Sequence, residues 1–416
     1  KNKGNMLPLS PSAKILVTGP NAHSMRTLNG GWSYSWQGEK TEQFATQYNT
    51  ILEAMQNRFG NSNVSFAQGV AYKMDGKYFE DSIVNIDEAV NKVFANQDDT
   101  AIVAQLLMPA VGRLGQEKST IDQHIKERII GGVLMLNGTK EGFSAWIKDF
   151  EAQNKTCGNL PFLHSADAEP SLVNRKIMGS SLVKKANELQ SVEEVMACAE
   201  TISKDLKHIG INYNFAPVVD MSPNATVGFR SFGAVPANII PWSGAFITQT
   251  QDNGIIATAK HFPGHGLVSG DTHKALQVID GELKEIQNYP PLIGQGVLSI
   301  MVAHIAVENN PKYNTLGLPS TCSKTIVTDL LKDELGFKGL IVTDAMNMGG
   351  VIAVPKAANK AVAAGCHIIL MPVDAKKTHS ELLAQYRTDT AFKKQVDEAA
   401  KKIIRMKIVL GLLSAN

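Results

Sequence analysis

The chain has 416 residues, 44% of them apolar and 19% charged, with a formal net charge of +2. This is the composition of a globular protein with a sizeable core, long enough for a barrel-sized domain and something more. The near-balanced charge argues against nucleic acid or an anionic membrane surface as the main partner.

Residues 1–103 read as a small α/β unit. Lys14 to Pro20 (KILVTGP) is a buried strand ending in a turn. Glu42 to Phe59 is amphipathic, with Phe44, Tyr48, Ile51, Leu52, Met55 and Phe59 at helical spacing, and Gly60 closes it. Val64–Ala67 is a second strand, Ser82 to Phe94 a second helix, and Thr100–Val103 begins a third strand. Between the first strand and the first helix lies a glycine-flanked loop, Gly30 to Gly38, carrying Trp32 and Trp36. Packing of a long loop and contact with a ligand are equally open for these two side chains.

From residue 104 to 416 the pattern is a strand–helix alternation. The strand candidates are Gln105–Val111, Ile130–Leu136, Pro161–Ala168, Ile211–Val219, Ile255–His261, Ser299–Ala306, Gly339–Asp344 and Cys366–Met371. Val192 to His208 is the clearest helix, with Val195, Met196, Cys198, Ala199, Ile202 and Leu206 on one face. Near-continuous apolar strands interleaved with helices imply a parallel sheet covered on both faces. Eight such units predict an α/β fold closed as a (β/α)8 TIM-type barrel, preceded by the small α/β unit. A basic amphipathic stretch, Ala399–Leu413, reads as the closing helix.

Polar residues recur at the C-terminal ends of these strands, where barrel enzymes assemble their sites. Asp167 and Glu169 follow the third, Asn214 and Asp220 lie on or after the fourth, and Lys260 and His261 end the fifth. His304 is on the sixth and Asp344 ends the seventh. A single charged strand end is often a helix cap, but five consecutive strands marked at the same end point to a site. The densest stretch is Lys260-His-Phe-Pro-Gly-His-Gly-Leu-Val-Ser-Gly-Asp-Thr-His273. Its Asp271-x-His273 ending allows a carboxylate to hold the ring's Nδ1–H and leave Nε2 to trade a proton. His261 and His265, four apart, do not form a helical metal pair, because Pro263 and Gly264 stand between them. Cys157, Cys198, Cys322 and Cys366 form no CxxC pair and read as buried free thiols. No metal and no organic cofactor is expected.

The segment from residue 101 onward resembles the catalytic barrel of bacterial glycoside hydrolase family 3 β-N-acetylglucosaminidases. The resemblance is carried by Gly131-Gly132, Phe215-Ala-Pro-Val218 with Asp220, Arg230-Ser-Phe-Gly233, the Lys260–His273 string and Val342-Thr-Asp344. It implies Asp344 as nucleophile, His273 as acid/base and Asp271 as its orienting partner. Asp167, Arg175, Arg230, Lys260 and His261 match sugar-binding positions. Retention at the anomeric carbon needs a carboxylate nucleophile and a proton donor. An imidazole poised near neutrality can replace the usual second carboxylic acid.

The N-terminal segment resembles the opening half of the α/β-sandwich domain of family 3 β-glucosidases, through Asn2 to Leu9 (NKGNMLPL), Gly19-Pro20-Asn21, and Gly31-Trp32 with Trp36-Gln37-Gly38. In that family the aromatic loop leans over the substrate entrance, which implies a substrate contact for Trp32 and Trp36. Two departures stand out. Asp167-Ala-Glu169 is followed by Pro170-Ser-Leu172 where the family has two glycines and an arginine, which alters the loop carrying Arg175. The sandwich-like part also precedes the barrel instead of following it; fusion, rearrangement and constructed chimera all fit that order. The segment stops before the position of the β-glucosidase acid/base glutamate, so the proton donor is expected on the Asp271–His273 loop.

The expected activity is that of a retaining exo-β-N-acetylhexosaminidase acting on terminal N-acetylglucosamine, for example in peptidoglycan recycling. A β-glucosidase and a catalytically silent sugar-binding protein are the alternatives. The expected partner is a carbohydrate substrate, with neither nucleic acid nor membrane. The chain has no transmembrane-length apolar run and no signal peptide, and opens on Lys1 rather than methionine. A periplasmic or a cytoplasmic location, and any oligomeric state, therefore stay open.

Overall fold

The computed structural model describes residues 9–10, 12–19, 22–25, 48–67, 78–221, 224 and 227–414, with side chains of 78–85 excluded. Trp32, Trp36 and the segment Asn2–Leu9 lie outside the described residues. The chain divides into two compact units, Lys1–Val84 and Asn85–Asn416.

In the smaller unit, β1 (Ile15–Thr18) pairs in parallel with β2 (Val64–Ala67) in the register Ile15–Val64. A helix at Ile51–Phe59 lies between them in sequence. Val17, Ala22, Leu52 and Val64 form its small core. Of the helix expected over Glu42 to Phe59, residues 42–47 lie outside the described residues, and the described helix is Ile51–Phe59. Thr50 is extended and accepts the Glu53 N–H, while the Glu53 carboxylate accepts the Thr50 N–H. Such a capping box starts a helix at its own position, whatever apolar spacing precedes it.

The larger unit begins with the helical residues after Val84, where Ala89 and Val90 pack on Ile404 and Ile408. The strand expected to start at Thr100 is a helix, Asp99–Ala104. Asp98 caps it by accepting the Ala101 N–H at 2.8 Å. An aspartate one turn upstream thus overrides the β-branched run Thr100-Ala-Ile-Val103.

All eight expected strand segments then carry a strand, each shorter than its apolar run except the fifth, which keeps its length and shifts by one residue. In chain order they include β3 (Leu107–Met108) and β4 (Ala110–Val111), β5 (Gly132–Met135), β7 (Leu163–Ala166), β9 (Tyr213–Asn214) and β10 (Ile256–Phe262). They continue as β12 (Ser299–Val302), β14 (Leu340–Thr343) and β15 (Ile369–Leu370). Short pairs β6 (Gly138–Thr139) with β8 (Ile177–Met178), and β11 (Gln277–Asp280) with β13 (Ile305–Glu308), lie outside that sheet. The parallel sheet runs β14-β12-β10-β9-β7-β5-β4. At its ends β15 pairs with β3, and the His367 and Ile368 N–H groups both donate to the Ile341 carbonyl.

Helices flank the strands. Val192–Ile209 starts at Ser191, which accepts the Glu194 N–H, and ends at Gly210 in the left-handed region with φ 99°. Of the expected face, Val195, Cys198, Ala199, Ile202 and Leu206 are buried and Met196 is exposed, while Ser203, Asp205 and Ile209 are buried as well. The final helix is Thr390–Val409. The cysteines are free thiols, three buried and Cys157 half-buried. Among the described residues, no helix is long and apolar enough to cross a membrane.

Candidate active site

The C-terminal ends of β7, β10, β12 and β14 bring together most of the polar residues singled out in the sequence. Two buried groups of paired charges adjoin Asp344, which is half-buried, and the exposed His273.

The first group is an ion cluster. Arg230 grips Glu169 with two bonds, Nε to Oε2 at 2.8 Å and Nη2 to Oε1 at 2.6 Å. Lys260 Nζ lies 2.5 Å from the same Oε1 and 3.0 Å from Asp167 Oδ1. Lys176 completes the cluster on Asp167 Oδ2 at 2.7 Å. Glu169 and Lys260 are buried, so these charges persist only through one another. Burial pushes the Glu169 carboxyl up, but Arg230 and Lys260 outweigh it and bring it down to about 2. Asp167 is treated the same way by Lys176 and Lys260, and lies far below the usual carboxylate range. Burial would lower the Lys260 ammonium, yet Asp167 and Glu169 raise it above its usual value. Arg175 is exposed, and it is the neighbouring Lys176 that reaches Asp167.

The second group is Asp220 with the loop that leaves β10. Asp220 Oδ2 lies 2.6 Å from His261 Nδ1, and its Oδ1 accepts the backbone N–H groups of His261 (3.1 Å) and His265 (2.9 Å). Burial opposes its ionisation, but the His261 ring and these donors keep it below the usual range. The loop is also held by Glu285, whose carboxyl oxygens accept the N–H groups of Met221, Gly266 and Leu267. Burial, reinforced by the charge of Asp220, pushes the Glu285 carboxyl up to about 8. Gly266 has no alternative here, because a Cβ would collide with the backbone of Met221.

Adjoining these are Asp344 and the Asp271–His273 pair. Asp344 follows β14; its N–H donates to the Val302 carbonyl and its Oδ1 accepts the Ala345 N–H at 2.8 Å. Burial alone would push its carboxyl up, but the field of the His261 ring and the Ala345 N–H hold it below the usual range. His273 Nδ1 lies 2.8 Å from Asp271 Oδ1, which also accepts the His273 N–H. The carboxylate accepts, so Nδ1 carries the proton and Nε2 is left for exchange. The His273 side chain is 62% exposed, against 7% for His261, so it is the imidazole of the two that an incoming group can reach.

Sequence reasoning passed over Lys176 and Glu285, which look like surface charges until the fold buries or pairs them. Among the described residues, no group of three His, Cys, Asp or Glu could hold a metal ion.

The arrangement comprises a strand-end carboxylate kept ionised, an accessible Asp–His pair and a group of paired charges able to bind hydroxyls. Comparison with known proteins places it. The family model described as the glycosyl hydrolase family 3 N terminal domain matches residues 100–406, and that of the family's C-terminal domain matches residues 1–129. The chain belongs to glycoside hydrolase family 3, with its two parts in reversed order. It is 28% identical over 304 residues to a "Beta-N-acetylglucosaminidase/beta-glucosidase" of Cellulomonas fimi, covering 68% of this chain and 53% of that protein. It is also 28% identical over 295 residues to a "Beta-hexosaminidase" of Hydrogenovibrio crunogenus, covering 64% of this chain and 80% of that protein. Its matched part thus spans about half of the first relative's length. Among solved structures, a family 3 beta-N-acetylglucosaminidase from a Paenibacillus species superposes with a TM-score of 0.70 at 26% identity, covering 76% of this chain and 63% of that one.

Proposed function

We propose that this chain is a retaining exo-β-N-acetylhexosaminidase that releases terminal β-linked N-acetylglucosamine. The observation that carries the reading is the Asp271–His273 contact on an exposed loop, 2.8 Å with the imidazole's other nitrogen open. Asp344 attacks the anomeric carbon and forms a glycosyl ester. His273 gives its Nε2 proton to the departing oxygen, then takes a proton from the water that cleaves the ester. Asp271 keeps the Nδ1 proton throughout and stabilises the imidazolium.

Asp167, Lys260, Arg230 and His261 bind sugar hydroxyls in this scheme, with Lys176 acting through Asp167. Arg175, exposed in the structure, is a weaker candidate than Lys176. Trp32 and Trp36 are proposed as contacts at the entrance by family resemblance. The catalytic part is assigned to residues 104–416 and read as a closed (β/α)8 barrel. The β15–β3 pairing and the bonds to the Ile341 carbonyl, at the two ends of the parallel sheet, support closure. Peptidoglycan fragments are a fitting source of the substrate.

The test is a panel of nitrophenyl β-glycosides with and without the 2-acetamido group. Preference for the acetamido sugar supports the assignment. Preference for the glucoside would move it to the other activity printed for the Cellulomonas fimi relative, and binding without turnover would point to a silent sugar-binding protein.

A further inference from the structure

His304 lies between β12 and β13, fully buried, and has no direct part in the chemistry described above. Its ring is held at both nitrogens. Nε2 lies 3.0 Å from the Ala345 carbonyl and Nδ1 lies 2.9 Å from the Thr321 hydroxyl, itself buried. A carbonyl can only accept, so Nε2 carries the proton, and with the ring kept neutral by its burial Nδ1 accepts from Thr321. This is the neutral ring in one tautomer. Burial lowers the imidazole's proton affinity, and the opposing field of Asp344 does not overcome it.

The residue so held is the one that supports Asp344. Ala345 donates its N–H to Asp344 Oδ1 at 2.8 Å while its carbonyl accepts from His304. Both polar groups of Ala345 are therefore committed, one to the carboxylate and one to the imidazole. The same histidine also backs the next turn of the loop. A Cβ on Gly350 would lie 2.9 Å from the His304 carbonyl oxygen and 3.0 Å from its Cβ, so only glycine allows this approach. From there the Gly350 N–H donates to the Thr272 carbonyl and the Gly349 N–H to the His273 carbonyl, both at 3.0 Å.

We propose that His304 is the positioning residue of the nucleophile, fixing Ala345 so that its N–H aims the Asp344 carboxylate at the anomeric carbon. The proposal rests on the reading of Asp344 as the nucleophile. Loss of the clamp lets the carboxylate turn, and a displacement of about 1 Å in a reacting group can cost roughly 10²-fold in rate. Because the nucleophile attacks whatever the leaving group, that loss is the same for good and poor leaving groups. Loss of the acid, by contrast, hurts poor leaving groups most.

The experiment measures the glycosylation step in the pre-steady state for His304→Ala and His304→Gln, using nitrophenyl and alkyl β-N-acetylglucosaminides. In His304→Ala the rate is expected to fall about 100-fold with both substrates and KM to change little. His304→Gln, which keeps a side-chain N–H donor, is expected to recover about tenfold. Unchanged rates in folded His304→Ala, or a loss confined to the alkyl substrate, would overturn the proposal. If His304→Ala does not fold, Thr321→Val decides instead, since it only removes the donor to Nδ1. A several-fold loss independent of the leaving group supports the clamp, and wild-type kinetics overturns it. Failure of the wild-type chain to turn over any glycoside would sink the reading of Asp344 itself, not the clamp.

Discussion

His265 Nε2 lies 2.9 Å from the Thr272 hydroxyl, so the loop leaving β10 is tied to the residue that stands between Asp271 and His273. Both partners are buried, and the Thr272 carbonyl is held separately by the Gly350 N–H. An exposed Asp–His pair thus hangs from a buried, doubly fixed residue. Thr272→Val keeps the shape and removes the hydroxyl. It leaves His265 without a side-chain partner at either nitrogen, since Nδ1 already has none. We expect a stability loss of roughly 1–3 kcal/mol, with a larger fall in kcat/KM for alkyl than for nitrophenyl glycosides. Equal kinetics for both substrates in the variant would show that the tie does not orient the pair.

How much of this was legible in the sequence depends on which residues act locally. The strands were readable because runs such as Ile255–Ala259 and Leu340–Val342 are apolar on both faces. Their lengths were not: Ile211–Val219 yields only Tyr213–Asn214, while bonds such as Val219 N–H to the Lys260 carbonyl continue the contact beyond the strand. Thr100–Val103 misled because the decisive residue, Asp98, lies outside the run. Within the site, the Asp271–His273 pair is two residues apart and could be seen. The Glu169–Arg230–Lys260 cluster joins three segments, and only the fold shows that Glu169 is shared by two cations. Glu285 gave no signal because its partners are backbone N–H groups, which every residue but proline has.

Asp344→Ala is expected to reduce turnover by about 10⁴-fold or more while the protein stays folded. Among the described residues its carboxylate has one local backbone donor and no ion-pair partner, so removal strands no buried charge there. Thermal unfolding and a nitrophenyl assay on the same sample check this. A variant that unfolds, or one that keeps near wild-type turnover, would remove Asp344 from the chemistry.

His273→Ala should slow the glycosylation step by roughly 10²–10⁴ for a sugar or alkyl leaving group and far less for a nitrophenolate, which departs with little protonation. Asp271→Asn should act in the same direction but more weakly, since it loosens the ring without removing it. The comparison is made in the pre-steady state, because deglycosylation needs a base with either substrate. Equal losses for both leaving groups in His273→Ala would reassign the proton donor, with Glu169, His265 and Glu308 the alternatives.

Acid stability should report the ion cluster. Glu169 is brought from 4.5 to about 2 in the folded state, so its stabilisation is complete above about pH 4.5 and is lost as pH falls towards 2. Asp167, held lower still, adds a loss of the same sign at lower pH. Glu169→Gln should be destabilised by about 3 kcal/mol or more at neutral pH, through Arg230 and Lys260 left underpaired. Its remaining stability should fall less steeply than that of the wild type between pH 4.5 and 2. Parallel curves in urea titrations at several pH values would refute this assignment.

Lys407 should give the opposite pH signature. Its ammonium is fully buried in the last helix, 2.6 Å from Gln105 Oε1 and 3.0 Å from the Gly131 carbonyl. Burial pushes it down to about 7, with only partial opposition from Glu151. The unfolded chain holds this proton up to about pH 10.4. Between these values the unfolded state binds more protons than the folded one, so the lysine's contribution to stability rises with pH at up to about 1.4 kcal/mol per unit. Below about pH 7 both states are protonated and the cost of burying the charge is constant. Lys407→Met removes the titration and leaves the two oxygens without their donor. Between pH 7 and 9 the wild type should therefore gain stability relative to this variant. Because every other group is common to both proteins, the difference in their urea midpoints isolates the lysine, and a difference that does not change with pH would show that Lys407 stays charged in the folded protein.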